Sequence, residues 1–236
     1  MSYWFAWVVS NVLPFITATV FFGGLAYRVV RWRRIPRASV SLVVLPGSRS
    51  VGQTLREIVT EVVTFRRVFK GSKVLWVVSW LFHLSIFVFV LGHLRLFIDF
   101  TWLWKLLRLT AEQVDLFGFA GGGASGTVFM LGLMALLVRR LRMPVRSLSV
   151  PGDYFLLLLL LGIAISGNYM RFLMHIELEP YRAFFSNLFH LRLGVPVENM
   201  IFVLHFLLVQ VFLIYFPFSK LVHVIGGVLT LKWTLR

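Results

Sequence analysis

Residues 74–94 read VLWVVSWLFHLSIFVFVLGHL, an apolar run with no lysine, arginine or acidic residue. A transmembrane helix needs about 20 apolar residues to cross a hydrocarbon core of about 30 Å, so this stretch predicts a membrane span. It also contains two histidines, His83 and His93. Because an ionisable side chain is costly inside a membrane and rarely lies there without a partner, both histidines are candidate functional residues.

Four other stretches have similar composition, at roughly residues 3–27, 116–138, 154–170 and 200–218. Hydrophobic residues make up 59% of the 236-residue chain, against about 45–50% in soluble domains. A transmembrane β-barrel would show short segments of alternating hydrophobicity, whereas residues 155–161 read FLLLLLL. We therefore predict an all-α integral membrane five-helix bundle. It forms one domain over residues 1–236, since the sequence shows no internal repeat and no low-complexity linker.

The formal net charge of +15 is distributed unevenly between the predicted loops. Of the 24 lysines and arginines, 18 fall in the loops after spans one, three and five, and six in the loops after spans two and four. By the positive-inside rule, the C-terminus is cytoplasmic and the N-terminus lies outside. Membrane topology and anionic lipid headgroups account for these basic loops, so nucleic-acid binding is not predicted. The expected location is the cell membrane, as a multi-pass protein.

The first apolar stretch has an alternative interpretation as a cleaved signal peptide. It is longer than the roughly 7–15 apolar residues of such a peptide, and no basic segment precedes it. We interpret it as a retained helix that Pro14 can kink.

The loop over residues 28–73 is basic and is predicted to be cytoplasmic. Within residues 53–70, apolar side chains recur at helical spacing, which predicts an amphipathic helix: Leu55, Ile58, Val59, Val62, Phe65 and Phe69. Its apolar face either lies on the membrane surface or docks a soluble partner, and the two alternatives are compatible.

The chain contains no cysteine. It therefore cannot hold an iron–sulfur cluster through cysteine thiolates, attach a c-type haem or form a disulfide. Any iron–sulfur centre that works with this chain must belong to another subunit.

The last span and its flank add His205 and His223. On a straight helix these residues lie about 27 Å apart on one face, and His83 and His93 lie about 15 Å apart and some 80° from each other. Pro217 can bend the fifth helix near His223. Antiparallel helices would pair His83 with His223 on the cytoplasmic side and His93 with His205 on the outer side, with room for two stacked haems. From the residues alone, hydrogen-bonded packing histidines remain an alternative. So does a haem-free transporter or scaffold, although the spans do not repeat.

The histidine spacing, ten residues in the second helix and eighteen in the fifth, resembles that of the gamma subunit of respiratory nitrate reductases. Residues 216–223, FPFSKLVH, are similar to that family's final-helix motif. Residues 80–83 (WLFH), 92–93 (GH) and 166–171 (SGNYMR) resemble more closely the membrane M subunit of the sulfite-reduction-associated complex, DsrM, and its heterodisulfide-reductase-linked homologues. The resemblance covers about residues 73–227.

The resemblance implies a dihaem cytochrome b with two haem b groups. His93 and His205 would ligate the outer haem iron, and His83 and His223 the iron on the cytoplasmic side. The chain would oxidise menaquinol near the outer haem and deliver electrons to a cytoplasmic iron–sulfur subunit of the heterodisulfide-reductase type. The alternative is the gamma subunit of a nitrate reductase with its catalytic pair. In either case the chain is an electron-transfer subunit of a larger oxidoreductase, with further membrane or extracytoplasmic subunits possible and no complete activity expected alone.

Other site residues are proposed on weaker grounds. Arg171, in the SGNYMR segment, is a candidate for binding a haem propionate, since guanidinium binds carboxylate bidentately. Four outer-side charged residues are quinol-pocket candidates by location only: Arg95, Asp99, Lys105 and Asp115. His175 and His190, in the loop before the fifth span, have no spaced partner and are predicted to be unligated.

Overall fold

The computed structural model describes residues 3–34, 51–174, 177–195, 197–223 and 226. These residues form α-helices and short turns, with no β-strand among them. Five helical segments are long and apolar enough to cross a membrane: Tyr3–Arg34, Lys73–Leu94, Ala111–Leu141, Pro151–Met174 and Met200–Phe218. The predicted all-α fold with five spans is therefore confirmed, and the protein is a multi-pass membrane protein.

The α-helices of the described residues are numbered in chain order. They are α1 (Tyr3–Asn11), α2 (Leu13–Arg34), α3 (Val51–Thr64), α4 (Arg66–Gly71), α5 (Lys73–Leu94), α6 (Thr101–Leu106), α7 (Ala111–Leu141), α8 (Pro151–Tyr169), α9 (Glu179–Phe189) and α10 (Met200–Tyr215). A π-helical turn, Met170–Met174, follows α8. Two short 3₁₀ turns, Phe216–Phe218 and Lys220–Val222, follow α10.

The third and fourth spans begin earlier than predicted because polar caps extend them beyond their apolar cores. At the start of α7, Thr110 Oγ1 accepts a hydrogen bond from the Gln113 amide (3.2 Å), and Gln113 Oε1 accepts one from the Thr110 amide (3.0 Å). This reciprocal capping box satisfies amides that an uncapped helix end would leave unpaired. At α8, the Asp153 carboxylate accepts from the Val150 amide (3.1 Å).

The first span is interrupted at Val12, between α1 and α2. Pro14 is the second residue of α2, where the missing amide proton costs no intrahelical hydrogen bond. The break therefore lies just before the proline rather than at a kink centred on it. The span continues to Arg34, beyond the predicted end at residue 27.

The segment predicted as one helix over residues 53–70 forms two helices, α3 and α4. Phe65 separates them in the left-handed region, with φ 49°. The Thr64 carbonyl accepts a hydrogen bond from Trp76 Nε1 (2.6 Å), and the Phe69 ring packs edge-to-face on Trp76 with a centroid distance of 5.2 Å. These contacts hold the α3–α4 turn against the start of α5.

The chain divides into two compact units: Met1–Ile16 with Val78–Phe212, and Thr17–Val77 with Leu213–Arg236. In the second unit, Gly24 lies against Pro217, whose Cβ would be 2.7 Å from a Cβ added at residue 24. Arg28 Nε donates to the Pro217 carbonyl (2.9 Å). The glycine is needed because any larger residue would displace this proline.

In the first unit, α7 packs against α8 around buried Phe129, Leu133 and Ala164. Phe82 of α5 stacks on Phe129 with a centroid distance of 5.1 Å. A second apolar cluster joins α9 to α10, and it includes Tyr181, whose ring meets that of Phe202 at 4.6 Å. The first cluster packs α5, α7 and α8 together, and the second packs α9 against α10.

Candidate functional site

His205 on α10 is held by a side chain of the neighbouring helix α8. Its Nδ1 atom lies 2.9 Å from Ser166 Oγ. The Ser166 hydroxyl donates to the carbonyls of Gly162 (2.8 Å) and Ile163 (3.1 Å). Because a hydroxyl has one proton, which points to these carbonyls, its oxygen accepts the proton carried by Nδ1 of His205. The ring is thereby fixed as the Nδ1–H tautomer, and its Nε2 lone pair is available to a ligand.

Gly167 makes room for the same imidazole. A Cβ added at this position would be 3.2 Å from His205 Cε1 and 3.7 Å from Nδ1. The ring therefore lies directly against the backbone of α8. Ser166 and Gly167 together set both the orientation and the depth of the His205 ring.

His93 on α5 has the same tautomer with a different partner. Its Nδ1 lies 2.7 Å from the Phe89 carbonyl, which can only accept, so Nδ1 is the protonated nitrogen. The Phe89 ring meets the His93 ring edge-to-face, with a centroid distance of 5.9 Å. His93 and His205 are close enough to interact electrostatically. Both imidazoles make their described hydrogen bonds through Nδ1, so Nε2 of each ring is the nitrogen that a ligand would use.

His83 and His223 also use Nδ1, but they belong to different compact units. His83 Nδ1 lies 2.7 Å from the Ser79 carbonyl, and His223 Nδ1 lies 3.1 Å from the Lys220 carbonyl. Their pairing remains a prediction from the sequence. Residues 205–223 are not one straight helix, because α10 ends at Tyr215 and two 3₁₀ turns follow. The straight-helix spacing of these two histidines therefore does not apply, and the chain departs from it near Pro217, where the sequence predicts a bend. Pro217 lies in the first of those turns.

Arg171 lies in the π-helical turn that ends the fourth span. Its Nη1 donates to the Gly118 carbonyl of α7 (2.9 Å), and its guanidinium lies against Gly122, one turn further along. Arg171 is close enough to His93 to interact with it electrostatically. Such π turns inside helices are frequent at functional sites because they re-aim a side chain.

The four outer-side candidates do not form one cluster of free charges. Arg95 forms an ion pair with Asp115 (3.0 Å), and Asp99 accepts from Trp104 Nε1 (3.2 Å) and lies 3.8 Å from Arg182. Lys105 is exposed on α6, and no hydrogen bond or ion pair of its side chain occurs among the described residues.

Of the two histidines predicted to be unligated, the structure describes only His190. His190 is exposed, and its Nδ1 lies 2.7 Å from the Ser186 carbonyl. His175 lies outside the described residues.

Comparison with known proteins places this arrangement in a family. The family model for the nitrate reductase gamma subunit matches residues 67–234, most of the chain and all four membrane histidines. The chain belongs to the nitrate reductase gamma subunit family. Two relatives are each named "Hdr-like menaquinol oxidoreductase cytochrome b-like subunit". The protein from Archaeoglobus fulgidus is 29% identical over 259 residues, covering 94% of this chain and 77% of the relative. The one from Archaeoglobus profundus is 28% identical over 266 residues, covering 92% and 76%.

Most residues of this gamma-family chain that support His205 and Arg171 are not assigned by the sequence alone. Ser166 and Gly167 stand out only as part of a motif, and Gly122 only as one of three consecutive glycines, Gly121 to Gly123, that favour close helix packing with room for a flat macrocycle. Gly118 is not singled out. The spacing of Gly118, Gly122 and Gly126 along α7 was the available signal, since small residues four apart allow close helix approach in membranes. The spacing does not predict which side chains occupy the space beside these glycines; in the structure Arg95 and Arg171 lie against Gly118 and Gly122.

Proposed function

We propose that this protein is the dihaem b membrane subunit of a respiratory oxidoreductase. It would oxidise menaquinol near an outer haem and pass electrons across the membrane to a cytoplasmic iron–sulfur partner. The observation that carries the proposal is the hydrogen bonding of His93 and His205 through Nδ1, which leaves Nε2 of each ring for a ligand.

The residues fit an outer haem. His93 and His205, from two different helices, would hold the haem iron through Nε2. The bound haem would supply reversible one-electron transfer. The hydrogen bonds from Nδ1 to Phe89 and Ser166 would orient the two rings and raise the basicity of Nε2.

A second haem, on the cytoplasmic side, is part of the proposal through His83 and His223. Two observations support it. The family match includes both residues, and Nδ1 of each ring lies against a backbone carbonyl that can accept its proton. Neutral Nδ1–H imidazoles are the form in which histidine ligates a metal through Nε2.

Menaquinol as the electron donor is supported by the names of the two relatives. Quinol oxidation also releases two protons, which need an acceptor open to water. Asp99 and Asp115 have side chains that are 43% and 75% exposed, and by the predicted topology they lie on the outer side. We propose them as proton acceptors, with Arg95 and Lys105 contributing charge to the quinol pocket.

The proposed partner follows from the composition of the chain. With no cysteine, it cannot carry electrons onward through an iron–sulfur centre of its own, so another subunit must accept them. The printed names of the relatives favour a heterodisulfide-reductase-like partner. The family match alone would equally allow a nitrate reductase complex, which therefore stays as the alternative.

The test is a haem measurement on the purified full-length chain. We expect a reduced-minus-oxidised absorption spectrum of b type and two haems per chain. His93→Ala should remove one haem, whereas His190→Ala, at an exposed histidine, should remove none. A chain purified without haem from haem-sufficient cells would refute the proposal and favour a haem-free transporter or scaffold. Loss of both haems or of neither in His93→Ala would contradict the pairing.

A further inference from the structure

Two guanidinium groups meet the same stretch of α7 beside the outer histidines. A Cβ added at Gly118 would be 2.6 Å from Arg95 Nη1, and one added at Gly122 would be 2.7 Å from Arg171 Cζ. Arg171 Nη1 also donates to the Gly118 carbonyl (2.9 Å). We call Arg95 and Arg171 the outer arginine pair. The two glycines are one helical turn apart, so they open one face of α7 to both side chains.

The outer arginine pair has more positive charge and more donors than its protein partners satisfy. Arg95 Nη2 pairs with Asp115 (3.0 Å), but Arg95 Nε is buried and has no hydrogen-bond partner. Arg171 donates a hydrogen bond to a carbonyl, which carries no charge. Its side chain forms none of the ion pairs among the described residues. The two guanidiniums are also close enough to repel each other.

Such an arrangement indicates an anionic ligand. A charge within a membrane segment is costly unless it is paired, and leaving a buried donor unsatisfied adds to that cost. A carboxylate would supply both the missing negative charge and the missing hydrogen-bond acceptors, because its two oxygens match the planar donor array of a guanidinium. Arg95 follows His93 by two residues, and Arg171 follows Gly167, which lies against the His205 ring, by four residues. A ligand held by both guanidiniums would therefore lie beside the outer histidines.

We propose that the outer arginine pair binds the two propionates of the outer haem, one at each guanidinium. This rests on the proposed function and deepens it. Arg171 alone was expected from the sequence to bind a propionate; the structure adds Arg95 as the second and gives Gly118 and Gly122 the role of admitting both side chains. Arg95 then acts as a cofactor-binding residue as well as contributing charge to the neighbouring quinol pocket.

The first test measures the midpoint potential of the outer haem in full-length variants. Removing a positive charge beside a haem favours the oxidised iron, so Arg95→Gln and Arg171→Gln should each lower that potential. Arg171→Lys keeps the charge but not the bidentate contact, so its potential should stay near that of the wild type while the haem is lost faster. Arg192→Gln is the matched control, because Arg192 is exposed and lies in a loop that is predicted to be on the outer side; it should change neither quantity.

The second test removes the carboxylates instead of the arginines. Full-length apoprotein is reconstituted with haem b or with its dimethyl ester, which has no free carboxylate. In the wild type, esterification should weaken binding at the outer site by about 10- to 100-fold, as expected for loss of charge-assisted hydrogen bonds. In the Arg95→Gln/Arg171→Gln variant, haem b and its dimethyl ester should bind the outer site with equal affinity.

The outcomes separate this inference from the proposed function. If the wild type binds two haems but the ester binds the outer site as well as haem b does, the inference is wrong and the proposed function stands. A loss of co-purifying anionic phospholipid from the double variant, with no change in haem binding, would also overturn it and assign the pair to lipid phosphate. If the wild type binds no haem, the proposed function itself fails.

Discussion

His205 Nδ1 and Ser166 Oγ lie 2.9 Å apart across the α8–α10 contact, and Ser166 is 6% exposed. Ser166 therefore holds Nδ1 of His205 with a side chain, whereas Nδ1 of His83, His93 and His223 lies against backbone carbonyls of their own segments. A side-chain acceptor can be removed by substitution, which a carbonyl cannot. The orientation of the His205 ring can therefore be tested by a substitution on another helix.

We predict that Ser166→Ala raises the midpoint potential of the outer haem. Without the acceptor, Nδ1–H loses its hydrogen bond, Nε2 becomes less basic, and the oxidised iron is less stabilised. Ser166→Thr retains a hydroxyl and should restore the wild-type potential. Redox titration followed by low-temperature electron paramagnetic resonance of each haem measures the effect. An unchanged potential in Ser166→Ala, with the haem still bound, would show that the contact does not control the ligand.

Gly167→Ala should reduce occupancy of the outer haem site. The added Cβ would lie 3.2 Å from His205 Cε1, and the backbone of α8 cannot move away without disturbing the Ser166 contact. Gly121→Ala is the matched control, because nothing lies within 4 Å of a Cβ added there. Haem quantitation on both purified variants tests the prediction. Equal haem content in the two would mean that the His205 ring tolerates the added methyl group.

The features of the fold and the site that could be predicted from the sequence are those that depend on residues close together in the chain. The second and fifth spans lie within one residue of their predicted bounds, because hydropathy is a property of contiguous residues. Ser166 could not be assigned, because its contact with His205 depends on how α8 and α10 rotate about their axes. The sequence predicts a bend near Pro217, but it does not predict that the helix ends in 3₁₀ turns between His205 and His223.

The amphipathic segment shows the same limit. Apolar spacing predicts helix over residues 53–70, but the left-handed conformation of Phe65 divides it. That conformation is unusual for a residue with a Cβ, and no glycine or proline in the segment signals it. The break accompanies the contacts of Trp76 with Thr64 and Phe69, which join residues from different helices.

Asp153→Asn should destabilise the fold without changing the haem spectrum. Asp153 is 6% exposed, pairs with Arg140 (2.8 Å) and caps α8. Removing its charge leaves a half-buried guanidinium without its partner, at a cost of roughly 1–3 kcal/mol. Asp115→Asn is the comparison, because its ion pair with Arg95 involves a side chain that is 75% exposed; such pairs contribute about 0–1 kcal/mol. Thermal unfolding in detergent should rank the two variants in that order, and the reverse order would contradict the prediction.

The exposed apolar side chains of α3 provide the last prediction, that this helix docks the iron–sulfur partner. Leu55, Val59 and Val62 are each more than half exposed, and the predicted topology places them on the cytoplasmic side. Replacing all three with serine should abolish co-purification of acid-labile sulfide, which a chain without cysteine cannot contribute itself. Val74→Ser is the control, since Val74 is equally apolar and 77% exposed but lies on α5. The haem spectrum should be unchanged in both. If the triple variant retains its sulfide, the apolar face of α3 lies in the lipid surface instead, and the partner binds elsewhere.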